Sequence, residues 1–192
     1  MGNLKTEGLE DVFNLFSAEV GGSKNAEYLK DIFQKSYLQH DNLTEATRYL
    51  ANELFKQHGL VIIDGDDQDL KREFLPYLKS ELFDQASYKS TKDSIEKLEE
   101  LGYGVQVNPR EINLFYLHNG LRERLIEQDG RFYVNETEIS WSREEMEQEL
   151  ENYPWRFSPN VITRPLYEEV IFPNLWYICG GGELAYLFEL KK

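Results

Sequence analysis

The residues best placed to do chemistry lie near the C-terminus, where Gly180-Gly181-Gly182 separates the apolar run Leu175-Trp176-Tyr177-Ile178 from a helical pattern, Glu183 to Leu190. Each glycine costs roughly 0.5–1 kcal/mol in chain entropy relative to alanine, so a triplet is usually kept for geometry. Between a strand and a helix, that geometry turns backbone N–H groups toward a carboxylate or phosphate. The spacing fits neither the Walker loop nor the dinucleotide fingerprint. A tight turn with close strand-to-helix packing is therefore the competing reading. Glu183 has the same two sides: a carboxylate in a first helical turn is favoured by the helix dipole, and it is also placed for acid-base work. Arg164 precedes the helix-opening Pro165 and can grip a carboxylate or phosphate with two parallel hydrogen bonds, or simply pair with Glu168 or Asp64. Asn160 either caps its own turn or faces a ligand. Asp64 ends the run Leu60-Val61-Ile62-Ile63 and is the acidic residue best placed to meet a ligand hydroxyl or amine.

Other reactive types carry less. The acidic turn from Asp64 to Asp69 fails the calcium-loop pattern, because Asp69 stands where glycine is required and Leu75 where the final glutamate is required. Cys179 has no histidine in motif spacing and reads as a small apolar residue. With one cysteine and three scattered histidines, His40, His58 and His118, no metal site is expected.

Two strand-helix units would position these groups. Leu9, Val12, Phe13, Phe16 and Val20 fall at helical spacing before Gly21-Gly22; a second helix is expected from a cap at Asn25, and a third from a cap at Thr44 up to Gly59. Leu60 to Ile63 then reads as a strand buried on both faces, hence parallel, followed by helical spacing at Leu70, Phe74, Leu78 and Leu82. Pro76 predicts a kink or a junction of two helices there, and Thr91 to Leu101 a further helix.

From Gly104 the pattern changes to short β-rich segments at 105–107, 113–117, 121–126, 131–134 and 139–141. His118-Asn119-Gly120 and Gln128-Asp129-Gly130 are turn signals between them. Ser142-Arg143-Glu144-Glu145 is a capping box that opens a helix to about Asn152. The second unit follows, with Pro165 at a helix start, a strand at 175–178 and a last helix. The expected organisation is residues 1–102 as helices and a first α/β unit, 103–153 as an inserted antiparallel β subdomain with its helix, and 154–192 as a second α/β unit. Parallel pairing between 60–63 and 175–178 is the central architectural expectation.

Composition bounds the function. A chain of 192 residues with 41% hydrophobic residues can bury roughly 70% of its unfolded surface, so disorder is not expected. A net charge of −14 would repel polyanions, which argues against nucleic acid as a partner but leaves room for a small anion in a local pocket. No stretch approaches the roughly 18 apolar residues of a membrane span. A lone cysteine excludes an internal disulfide and fits a reducing cytoplasm. Leu190-Lys191-Lys192 stops inside a helical pattern that looks unfinished, as expected for an internal piece of a longer protein.

The string Arg156-Phe157-Ser158-Pro159-Asn160-Val161-Ile162-Thr163-Arg164-Pro165-Leu166, with Glu169, Pro173, Leu175 and Gly180-Gly181-Gly182-Glu183, resembles the cysteine ligase family of bacillithiol biosynthesis. Asn113-Leu114-Phe115-Tyr116 with Arg124, Thr47-Arg48-Tyr49-Leu50 and Gly59-Leu60-Val61 resemble it too. The resemblance implies a partial Rossmann-like core with an insertion, in a parent protein more than twice this length that dimerises through a coiled coil absent here. It implies joining of cysteine to glucosaminyl-malate, with ATP or ADP as a ligand. Gly180 to Gly182, Asn160 and Asp64 would then bind ligands, and Arg164 and Glu183 would serve catalysis, while the fragment alone would be silent. The competing reading is a non-catalytic module that binds a nucleotide or metabolite and docks another protein through the insertion.

Overall fold

The computed structural model describes residues 4–190, so the helical pattern expected to run on through Lys191 and Lys192 lies outside the described residues. The chain divides into two compact units, one up to Asp64 and one from Gly65.

The first unit is helical: α1 (Leu9–Val20), α2 (Lys24–Tyr37) and α3 (Leu43–Phe55). Both expected caps shift by two residues. Ser23 Oγ accepts from the Ala26 N–H and Asn42 Oδ1 from the Glu45 N–H, which displaces Asn25 and Thr44 from that role. In each case the oxygen stands in extended backbone just before the first turn, where orphan N–H groups point. Phe16 meets Phe33 at 5.0 Å between ring centroids, and Ser36 Oγ donates to the carbonyl of the fully buried Ala46, which lets α2 and α3 approach closely. A short 3-10 turn, Lys56–His58, ends at Gly59, whose φ of 72° needs a residue without a side chain.

The second unit places α4 (Gln68–Glu73), α5 (Leu75–Asp84) and α6 (Ala86–Glu100) before a sheet of β1 (Leu114–His118), β2 (Leu121–Gln128), β3 (Arg131–Val134), β4 (Ser140–Trp141) and β5 (Phe157–Pro159). Helix α7 (Arg143–Asn152) lies between β4 and β5, and α8 (Arg164–Ile171) and α9 (Gly181–Glu189) follow. Pro76 sits in the first turn of α5, so the expected junction is a break between two helices. The capping box at Ser142 and Glu145 is present in full. Strand order is β4-β3-β2-β1-β5, all antiparallel. Asn119-Gly120 and Asp129-Gly130 close the first two hairpins with φ positive at both residues of each pair, the geometry a two-residue hairpin turn requires. Leu114, Tyr116, Leu125, Phe132, Val134 and Phe157 alternate inward, and Leu78 and Leu82 of α5 with Met146 and Leu150 of α7 complete their core.

No parallel pairing is found within either unit among the described residues. Leu60–Ile63 and Leu175–Ile178 are extended but form no strand, and every pairing within the sheet is antiparallel. A strand exists only through lateral partners, and these runs have none among the described residues: Leu175, Trp176 and Ile178 are 99%, 86% and 92% exposed. Residues 105–107 also fail to become a strand. Their backbone donors go to a side chain instead: Gln106 and Val107 N–H donate to the two carboxylate oxygens of the buried Glu189, at 2.8 and 3.0 Å. Strand β5, unforeseen, lies beyond residue 153 and pairs with β1 inside the same sheet.

Candidate functional site

The turn that leads into α8 is held from below. Asn160 Oδ1 accepts from the Ile162 and Thr163 N–H groups at 2.8 and 3.4 Å, and its Nδ2 donates to Asn113 Oδ1 at 3.1 Å. Thr163 Oγ1 donates to the Asn113 carbonyl at 2.8 Å. Asn160 thus uses both ends of its amide to shape the turn, the capping role rather than the ligand-facing one. The next residue, Arg164, donates its backbone N–H to the Asn160 carbonyl at 2.9 Å, while its side chain takes no part in this network. Its side chain is 61% exposed, and Nε donates to Glu168 Oε1 at 3.1 Å, one turn along α8. Exposed pairs of this kind contribute about 0–1 kcal/mol, so an incoming anion could displace Glu168 at small cost.

Gly180 is the residue before α9, and Gly181 and Gly182 are in its first turn. None of the three has positive φ, and an added Cβ would meet nothing within 4 Å. The structure thus gives no steric reason for three glycines, in contrast to the tight-packing reading. Their consequence is an uncovered helix start, whose first N–H groups have no intrahelical acceptor. Glu183 does not fold back as a cap. It accepts from Tyr177 OH at 2.6 Å, and this bond pushes the phenol up to about 12. The far end of α9 is fixed: Glu189 grips residues 106 and 107, Tyr186 OH donates to the Val161 carbonyl, and Tyr186 and Leu190 pack against the cluster of Ile95, Val107 and Ile162. The structure therefore brings α9 together with the Asn160–Thr163 turn. No hydrogen bond or ion pair among the described residues joins Arg164 to Gly180–Glu183.

In the first unit, Asp64 lines a cavity of about 410 Å³ with Thr44, Thr47, Arg48 and Ile63. Cys179 is a free thiol, and among the described residues no group of histidine, cysteine and carboxylate side chains could hold a metal ion.

Several buried polar residues escaped the sequence reading. Glu81, 4% exposed, accepts from the Asn113 N–H at 2.7 Å and from Ser87 through both its N–H and its hydroxyl. Asn113, wholly buried, bonds the Arg110 N–H and carbonyl and Ser87 Oγ. Lys71, 3% exposed, donates to Asp66 and to the Trp155 carbonyl, and Tyr167 OH donates to the Gly65 carbonyl, which together fasten the acidic turn. A signal existed for two of them. Lys71 and Glu81 fall three residues from Phe74 and Leu78, on the buried stripes of α4 and α5, where a solvated charge would be out of place.

Residues 1–192 match the family model described as "Bacillithiol biosynthesis BshC, N-terminal Rossmann-like domain". Proteins carrying the name "Putative cysteine ligase BshC" are similar along the chain. The one from Christiangramia forsetii is 59% identical over 192 residues and the one from Flavobacterium johnsoniae 58%, each covering 100% of this chain and 36% of the relative. The one from Bacillus cereus is 30% identical over 191 residues, covering 96% of this chain and 34% of the relative. This chain thus spans about a third of the length of the relatives it matches. With the match running its whole length, the chain belongs to the BshC family of bacillithiol biosynthesis, within the N-terminal Rossmann-like domain.

Proposed function

We propose that the full-length protein joins cysteine to glucosaminyl-malate, with an adenine nucleotide as a further ligand, and that this chain supplies part of the binding crevice. The observation that supports the reading most is the family match along every residue, at 59% identity to a relative named as a cysteine ligase. The local geometry agrees with it. Forming a bond to a carboxyl group builds negative charge on oxygen, and preorganised N–H donors with a nearby cation are what lower that barrier. The open start of α9 offers such donors, and Arg164 offers an exposed guanidinium paired among the described residues with Glu168 on the surface. Glu183, tied to Tyr177, orients the entry to α9. On the same reading, Leu175–Ile178 gains strand neighbours in the full-length protein, and the loop after it, with Gly180–Gly182, becomes a crevice wall.

The test is turnover by the full-length protein supplied with cysteine, glucosaminyl-malate and ATP, read by the mass of the product. The expected result is a cysteinyl product, with Arg164→Ala lowering its rate by more than about tenfold, the loss of one charge-assisted contact. No product across amino-sugar acceptors, with nucleotide binding intact, would favour a non-catalytic binding module. Near-normal turnover in a folded Arg164→Ala protein would remove that residue from the site.

A further inference from the structure

Two arginine side chains away from the crevice residues have no partner among the described residues. Arg110 and Arg124 both line a cavity of about 290 Å³, with Tyr88 and Ile112 among its walls. Among the described residues no hydrogen bond, ion pair or ring contact engages either guanidinium. In a chain of net charge −14, leaving two cations unpaired in one cavity calls for a physical reason.

The walls are built rather than incidental. Arg110, exposed like Arg131, lies in a loop, yet its backbone is clamped at both ends by the wholly buried Asn113: its N–H donates to Asn113 Oδ1 at 3.1 Å, and its carbonyl accepts from Nδ2 at 2.6 Å. Another lining residue, Tyr88, follows Ser87, which donates to Glu81 through both N–H and hydroxyl at 2.9 and 2.7 Å. Glu81 also holds the Asn113 N–H. One network through Glu81 and Asn113 therefore holds the Arg110 backbone and Ser87, the neighbour of Tyr88. Arg124 comes from a third element, β2, where it is half-buried opposite Phe115 of β1.

The sheet face that carries Arg124 is also free of carboxylates. By strand alternation Arg122, Arg124 and Arg131 share the outward face with Phe115 and Tyr133, while Glu123 and Glu127 turn to the other face with Leu125. Arg122 is occupied, with its guanidinium 3.7 Å from the Phe115 ring centroid. Glu111 and Glu127 also line the cavity, but neither is within ion-pair distance of Arg110 or Arg124. The cavity thus offers two guanidinium forks that the neighbouring carboxylates do not engage, groups suited to binding a planar oxyanion.

We propose that Arg110 and Arg124 form a binding site for the oxyanion group, phosphate or carboxylate, of a small metabolite. The site lies on the β-rich part of the second unit and is independent of the ligase reading.

The test is arginine footprinting of the full-length protein with phenylglyoxal, read by peptide mass, with inorganic phosphate, ADP, L-malate or chloride added at equal ionic strength. Saturable protection of Arg110 and Arg124, with the exposed Arg131 unprotected, is the expected result. Protection by phosphate or ADP identifies a phosphoryl ligand, and protection by malate alone a carboxylate. Arg124→Gln should raise the concentration that half-protects Arg110 by about tenfold, as loss of one charge-assisted contact requires, and Arg131→Gln should leave it unchanged. Equal protection by chloride, equal protection of Arg131, or no protection by any anion would overturn the site. Each of these outcomes can be read whether or not the protein turns over cysteine.

Discussion

Around Asn113 the polar side-chain atoms of Glu81, Asn113 and Thr163 all have partners inside the fold, and the apolar side chains beside them are buried. Along Leu175–Ile178, in the same unit, the side chains are apolar and face water. The contrast separates two uses of hydrophobic sequence. Leu114 and Phe132 find their neighbours within this chain and stabilise it. Leu175 and Trp176 contribute almost nothing to its stability, because exposed apolar area is removed from water only by a surface that comes to cover it.

The contrast can be broken or sharpened by substitution. Phe132→Ala empties the sheet core and should cost about 3–5 kcal/mol in denaturant unfolding. Asn113→Leu leaves the Arg110 backbone groups and Asn160 Nδ2 without their partner; a loss of about 2–3 kcal/mol is expected, with Arg110 becoming more reactive to phenylglyoxal as its loop loosens. Tyr116→Phe should cost about 1 kcal/mol at neutral pH, since Tyr116 OH donates to Glu149 at 2.6 Å.

That substitution also has a pH signature. Burial first, and the bond to Glu149 second, push the Tyr116 phenol from 10 up to about 12. Between those values the unfolded chain has released the proton and the folded chain still holds it, so stability falls as pH rises through the window. Tyr116→Phe should flatten that alkaline decline in unfolding curves. Tyr177→Phe should flatten it less, because solvent screens the exposed bond to Glu183. Smallest of all, Trp176→Ser should change the stability of this chain by no more than about 0.5 kcal/mol. A loss comparable to that of Asn113→Leu would show that the run is already packed here.

Much of this division was legible in the sequence, but unevenly. The hairpins were, because Asn119-Gly120 and Asp129-Gly130 are local signals that act within a few residues. So were the capping box at Ser142 and the helix break at Pro76, each a matter of adjacent backbone. Strands at 60–63 and 175–178 were read from β-branched and aromatic composition alone, which says that a segment suits a sheet but not where its partners are. Strand β5 failed in the opposite sense: three residues ending in proline carry no pattern, and β1 makes them a strand. The site shows the same limit. Arg164 and the glycine turn could be named from residue type, whereas the Arg110–Arg124 cavity depends on Asn113 and Glu81, 32 positions apart, meeting in the interior.

The position of β1 between β2 and β5 also sets an order of assembly. Its pairing with β2 closes over a two-residue turn and can form on the microsecond scale of hairpins. Its pairing with β5 must wait for a loop of some forty residues to close, a step whose entropic cost grows with loop length. The buried anchor that shapes the Asn160 turn therefore matures after the hairpin, when the chain returns to a strand pair already in place.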